Sequence, residues 1–94
     1  VLTVVYRDFE WDFDKAESNL AKHEVSFEEA AAAMTDTRSL DFDDLAIPDN
    51  LITLAATPTG RILYIVSTVR GDRIRIISAR SATRRERSLY EEAE

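Results

Sequence analysis

The residues best suited to chemistry lie near the carboxy-terminal end. They are Ile74-Arg75-Ile76-Ile77-Ser78-Ala79-Arg80, then Thr83-Arg84-Arg85-Glu86-Arg87 and Tyr90. A guanidinium fork donates to two oxygens at once, so an arginine-loaded strand feeding an arginine-loaded helix start suits phosphate or an acidic partner. Arg80 stands at the strand-to-helix junction, where free backbone N–H groups and the helix dipole also favour an anion. With a period of two, Arg73 and Arg75 share one side of the last strand and Arg80 takes the other, unless a bulge near Ser78 intervenes. The competing reading is a solvated arginine face with cross-strand ion pairs.

The second group is Lys22-His23. His23 is the only histidine, so a His–His acid/base pair is excluded, and a partner would be Glu86, Tyr90 or a lysine. One reading makes it a hydrogen-bonded structural residue at a helix carboxyl end. The other makes it a general acid or base for phosphodiester chemistry. Asp41, Asp43 and Asp44 lack the glycine and terminal glutamate of a calcium loop, so an acidic edge strand that resists aggregation is the simpler account, and no metal is expected. The only glycines, Gly60 and Gly71, sit in turns, which leaves no phosphate-binding glycine loop.

Charge sharpens the first group. Residues 1–60 carry four basic and thirteen acidic side chains, net −9, whereas residues 61–94 carry eight and five, net +3. The whole chain is acidic at −6, so the basic surface is local and general coating of nucleic acid is disfavoured. Ninety-four residues fit one domain spanning 1–94. The chain opens on Val1, and residues 1–6 are expected to include some vector-encoded residues. Absence of cysteine removes disulfides and thiolate chemistry and fits a reducing cytoplasm. No apolar run is long enough for a membrane span and no signal peptide is visible, so no membrane association is expected.

These groups need elements to position them. Val4 to Trp11 reads as a strand, and Asp12 or Asp14 caps a helix to about Glu24. Lys15, Asn19 and Lys22 share one face of that helix at i, i+4 and i+7. Ser26-Phe27-Glu28-Glu29 predicts a capping box for an alanine-rich helix from Phe27 to Met34. Strands follow over 39–43, 51–57, 61–69 and 73–79, with turns at Pro58-Thr59-Gly60 and Arg70-Gly71-Asp72. Thr83-Arg84-Arg85-Glu86 predicts a second capping box at the final helix. The expected architecture is α+β: an antiparallel sheet of about four strands, two N-terminal helices and one C-terminal helix, with the helices on one face.

Several blocks resemble the BrnT toxins: Phe9-Glu10-Trp11-Asp12, Lys15-Ala16, Asn19, Lys22-His23, Val25-Ser26-Phe27-Glu28-Glu29-Ala30, Arg70-Gly71-Asp72, Ile77-Ser78-Ala79-Arg80, Ala82-Thr83, Glu86-Arg87 and Tyr90-Glu91. The resemblance runs from Phe9 through nearly the whole chain in order and spacing. It implies a RelE-like fold and a ribonuclease toxin of a type II toxin–antitoxin pair that cleaves RNA and stops translation. It also implies a BrnA-type antitoxin in a hetero-oligomer, with operator DNA reached only through that antitoxin. The family pattern differs at Glu24, where glycine is usual, at Met34-Thr35-Asp36, at Asp49-Asn50-Leu51 in place of a Glu-Arg pair, and at Ser67 in place of histidine.

On this resemblance the expected mechanism is metal-independent: a ribose 2′-hydroxyl attacks the adjacent phosphate and cations stabilise the developing charge. Arg80 and then Lys22 supply the cations, His23 or Glu86 transfers protons, and Tyr90 donates to phosphate or stacks on a base. Arg73, Arg75, Arg84 and Arg87 are the RNA-binding candidates. The alternative is a weakened toxin homologue that binds antitoxin and supports repression.

Overall fold

The computed structural model describes residues 1–93 as one six-stranded sheet with three helices. In chain order the elements are β1 (Thr3–Tyr6), β2 (Phe9–Asp12), α1 (Phe13–His23), α2 (Phe27–Ala33), β3 (Leu40–Asp43), β4 (Asn50–Ala56), β5 (Ile62–Arg70), β6 (Arg73–Ser81) and α3 (Arg84–Glu92). The spatial order of strands is β1-β2-β6-β5-β4-β3. The α+β class stands, but the sheet has six strands instead of about four, and a pair of strands precedes the first helix.

The extra strand arises from the segment read as one strand over Val4–Trp11. It folds back at Arg7-Asp8, where Arg7 adopts a left-handed φ of 56°. β1 then pairs antiparallel with β2, Val4 opposite Trp11. Thr3–Tyr6 are thus built into the sheet. The purely antiparallel expectation is also corrected: β2 runs parallel to β6, Phe9 opposite Ile74 and Glu10 opposite Arg75. The intervening chain supplies the long crossover that a parallel pair needs.

The two turns read from glycine are present, with Gly60 at φ 91° and Gly71 at φ 62°. Glycine enters that region at least cost, whereas a residue with a Cβ is strained there. β3 forms one edge of the sheet, paired only with β4. Its aspartates serve local structure, since Thr53 Oγ1 donates to Asp41 Oδ1 at 2.8 Å and Asp44 Oδ1 accepts from the Ala46 and Ile47 amides.

The main core lies between one sheet face and α1 with α2. Phe27, Ala30, Ala31 and Ala33 pack on Leu63, Ile65, Ile76 and Ala79, and Trp11 meets Phe27 edge-on at 5.8 Å. Alanines let α2 approach the sheet closely, which explains its composition. Ser26 caps α2 through the Glu29 amide at 3.0 Å. The Glu29 carboxylate is turned to Arg61 at 3.4 Å, so only one half of the expected box is used.

The helices do not share one face. α3 lies against the opposite face, where Leu54, Tyr64, Phe42 and Ile52 meet Glu86 and Leu89. Thr53 and Ala55 point to the α2 side while Leu54 points to α3, so three consecutive β4 residues are buried. No helix among the described residues is long and apolar enough to cross a membrane.

Candidate active site

The sequence of β6 decides where its arginines point. Its register with β5 pairs Ile76 with Ser67 and Ser78 with Val66, leaving Ile77 as an extra residue. A bulge of this kind reverses the alternation beyond it. Arg75, opposite Thr68, and Arg80, opposite Tyr64, therefore fall on the same face, because Tyr64, Val66 and Thr68 alternate along β5. The bulge that the sequence leaves open near Ser78 is present at Ile77, and it removes the separation that unbroken alternation would give.

Arg80 is held on three sides. Its Nη1 donates to Glu86 Oε1 at 2.8 Å and its Nη2 to Glu86 Oε2 at 3.0 Å. Its Cζ stands 3.9 Å from the Tyr64 ring centroid. Nη1 also reaches the Ser81 carbonyl at 3.2 Å. Glu86 belongs equally to the start of α3, because Oε1 accepts the Thr83 amide while Thr83 Oγ1 accepts the Glu86 amide. The second capping box is thus complete and doubles as the clamp on Arg80.

The electrostatics follow from this geometry. Hydrogen bonds to Glu86 hold Arg80 protonated above its ordinary value, outweighing the opposing effect of partial burial. Those same bonds hold Glu86 below the usual carboxylate range against burial, with the Thr83 amide adding to the effect. A carboxylate so held resists taking a proton, which counts against Glu86 in proton transfer.

Tyr90 is occupied differently. Its hydroxyl donates to Asp36 Oδ2, which also accepts the Ala56 amide at 3.0 Å, while Asp36 Oδ1 accepts the Arg38 amide. Burial raises the Asp36 pKa, but the bonds from Tyr90, Ala56 and Arg38 together lower it. The bond to Asp36 raises that of Tyr90, with burial adding. Tyr90 thereby ties the last turn of α3 to β4 and to the segment after α2.

Lys22 and His23 lie elsewhere, on α1. β2 pairs with β6 only at Ile74 and Arg75. Farther along, Asn19 takes the place of a strand: its side-chain nitrogen donates to the Ala79 carbonyl at 2.7 Å and to the Val25 carbonyl at 3.0 Å. Its oxygen accepts the Ala79 amide at 3.1 Å. Beside this contact runs a groove of about 320 Å³ lined by Asp14, Lys15, Ser18, Asn19, Lys22, His23, Ile77 and Ser78. The expected cationic face of α1 is therefore one wall of a cleft, and the bulge at Ile77 is the other. The sequence marks Ser78 as a bulge position and gives it no role in the site, although it lines this groove two residues from Arg80.

The remaining arginines divide by partner. Arg75 Nη1 lies 2.6 Å from Glu10 Oε2, with Arg70 at 3.9 Å from the same oxygen, so Arg75 neutralises a carboxylate that is 8% exposed. Arg73, Arg84, Arg85 and Arg87 are exposed and make no ion pair among the described residues. Two clusters thus flank β6, Lys15-Lys22-His23-Ser78 at its edge and Arg80-Tyr64-Glu86 on the α3 face. At a strand rise of about 3.3 Å per residue, Ser78 and Arg80 are roughly 7 Å apart along the chain.

A mixed sheet with two helices on one face, a third on the other and a cationic cleft at the edge of β6 defines a small α+β domain with a candidate site for an anionic substrate. Residues 11–86 match the family described as "Ribonuclease toxin, BrnT, of type II toxin-antitoxin system", and the chain belongs to that family. The structure is similar to the crystal structure of the Brucella abortus ribonuclease toxin BrnT, with a TM-score of 0.64 and 25% identity over 79% of this chain and 94% of that one. No curated protein sequence matches the chain. Membership carries an antitoxin partner with it, because the family is defined within type II toxin–antitoxin systems.

Proposed function

We propose that the chain is a RelE-like endoribonuclease acting in the cytoplasm, where RNA cleavage inhibits translation and a BrnA-type antitoxin neutralises it. The observation that carries this reading is the groove between α1 and the bulged edge of β6, which gathers Lys15, Lys22, His23 and Ser78 in one lining. Phosphodiester cleavage needs cations beside a group able to move protons, and the lining of this groove offers both.

The reaction requires no metal in this scheme. The ribose 2′-oxygen forms a bond to phosphorus while its proton passes to a base, and the bond from phosphorus to the 5′-oxygen breaks as that oxygen gains a proton. The products are a 2′,3′-cyclic phosphate and a 5′-hydroxyl. His23 is the group for proton transfer, since Glu86 is engaged by Arg80 and Thr83. Lys22 stabilises the phosphoryl oxygens. Arg80 does so from the other flank of β6 with the guanidinium N–H groups that Glu86 and Ser81 leave unused. Tyr90 acts through α3, by holding that helix against β4. Arg73, Arg84 and Arg87 meet the RNA backbone, whereas Arg75 serves Glu10 first.

One observation favours a second reading. The two-point clamp of Glu86 on Arg80 would suit a weakened toxin that mainly binds antitoxin and helps repress its operon, touching operator DNA only through that partner. Inducible expression without antitoxin separates the two. Growth arrest with loss of cellular RNA is expected, and Arg80→Ala should abolish both while the chain stays folded. Normal growth with a folded wild-type chain would favour the repressor reading.

A further inference from the structure

The face of the sheet beneath α3 holds a slot of about 180 Å³ lined by Phe42, Ile52, Leu54, Tyr64, Leu89 and one charged residue, Glu86. Two of its walls reach solvent, Phe42 at 41% exposed and Leu89 at 46%. Phe42 stays partly open on an edge strand, a place where sheets usually carry charge. The slot has the scale of one planar ring. A docked amphipathic helix would instead need a run of anchor sites at i, i+3, i+4 and i+7.

Its one charged lining residue is acidic, but the helix above it carries cations. α3, which supplies Glu86 and Leu89, also carries Arg84, Arg85 and Arg87, exposed and without an ion pair among the described residues. Tyr64 joins the slot to the site above, since its ring underlies Arg80 and also lines the slot. Aromatic and apolar walls beside a row of cations form a platform for single-stranded nucleic acid, on which bases stack while phosphates follow the cations.

We propose that the slot receives one unstacked base of a single-stranded RNA, with Phe42 against the ring and the arginines of α3 along the adjoining phosphates. The proposal rests on the ribonuclease reading and adds to it a base subsite distinct from the Lys22-His23 groove. Among the described residues Glu86 Oε2 accepts from Arg80 alone, so it keeps capacity for an N–H on the edge of the base. The base thus enters beside Arg80 and sets the register of the strand across β6.

The test is fluorescence anisotropy of a 5′-labelled single-stranded oligoribonucleotide with the purified chain over a salt series. Phe42→Leu keeps an apolar side chain and removes the ring, so affinity should fall about 5- to 100-fold with an unchanged salt slope, because the slope counts phosphates. Arg84→Gln with Arg85→Gln should instead flatten the slope. Leu89→Ala opens the slot from the helix side and should weaken binding too, which guards against a local failure of β3. Wild-type affinity in both the Phe42 and Leu89 variants overturns the proposal. Intact RNA binding with lost antitoxin binding in those variants also overturns it, by making the slot a protein-docking site. A wild-type chain with no RNA affinity overturns the ribonuclease reading itself, a result distinct from selective loss in the slot variants.

Discussion

Arg80 lies fork-on-fork against Glu86, two parallel hydrogen bonds of 2.8 and 3.0 Å closing across the junction of β6 and α3. Glu86 also closes the capping box with Thr83. One carboxylate thus fixes both the start of the helix and the direction of the guanidinium. Glu86→Ala should cost about 1 kcal/mol, because the carboxylate's half of the capping box and the ion pair are lost while Thr83 still caps the helix and solvent screens the pair. Urea denaturation checks this. Glu86→Gln should retain much of the cap while freeing Arg80, so RNA affinity should rise or hold as stability falls slightly. A loss of RNA affinity in Glu86→Gln would show that Arg80 needs the clamp for its orientation.

Asn19 substitutes for a missing strand. Asn19→Ala leaves the buried amide and carbonyl of Ala79 without partners, and about 2–4 kcal/mol of stability should disappear. Asn19→Asp keeps an acceptor for the amide but cannot donate to the two carbonyls, so its denaturation midpoint should also fall. A midpoint within error of wild type in both variants would remove Asn19 from this role.

The Tyr90–Asp36 bond predicts a pH signature. Asp36 has a lowered pKa in the fold, so its contribution is present above the unfolded value near 3.8 and is lost as pH falls through the lower folded value. Tyr90 has a raised pKa, so its contribution is complete below the unfolded value near 10.0 and is lost as pH rises through the higher folded value. Tyr90→Phe should therefore flatten the stability profile at both ends and reduce stability between them by about 1 kcal/mol. Thermal melts from acid to alkaline pH provide the comparison.

Glu24 ends α1 with φ 57° and ψ 35°, the left-handed conformation. A residue with a Cβ thus holds a helix end that suits glycine and is strained there. Arg61 Nη1 bonds the Glu24 carbonyl at 3.0 Å, a contact that needs no side chain at position 24. Glu24→Gly should raise stability by about 1 kcal/mol. An unchanged or lower melting temperature would contradict this.

Local chemistry was legible where it decides structure within a few residues. The Thr83 box, the Ser26 cap and the glycine turns are of this kind, as is the shared face of Lys15, Asn19 and Lys22. Three features were not. Arg7 turns a hairpin without glycine, so the first strand looked continuous. The parallel pairing of β2 with β6 joins residues about sixty-five positions apart, and neither segment carries a sign of it. The bulge at Ile77 has no side-chain signature, yet it moves Arg80 to the face of Arg75 and brings it under Glu86. The residue types of the site could thus be read from the sequence, while its division between two flanks of β6 depended on backbone register.

The most direct test is incubation of the purified chain, free of antitoxin and in excess chelator, with a single-stranded oligoribonucleotide, followed by analysis of the ends produced. The account predicts fragments bearing 2′,3′-cyclic phosphate and 5′-hydroxyl groups. It further predicts a rate about 10²- to 10⁴-fold lower in His23→Ala and a large loss in Arg80→Ala, with both variants folded. Intact RNA from a folded wild-type chain, or undiminished cleavage by His23→Ala and Arg80→Ala, would contradict it.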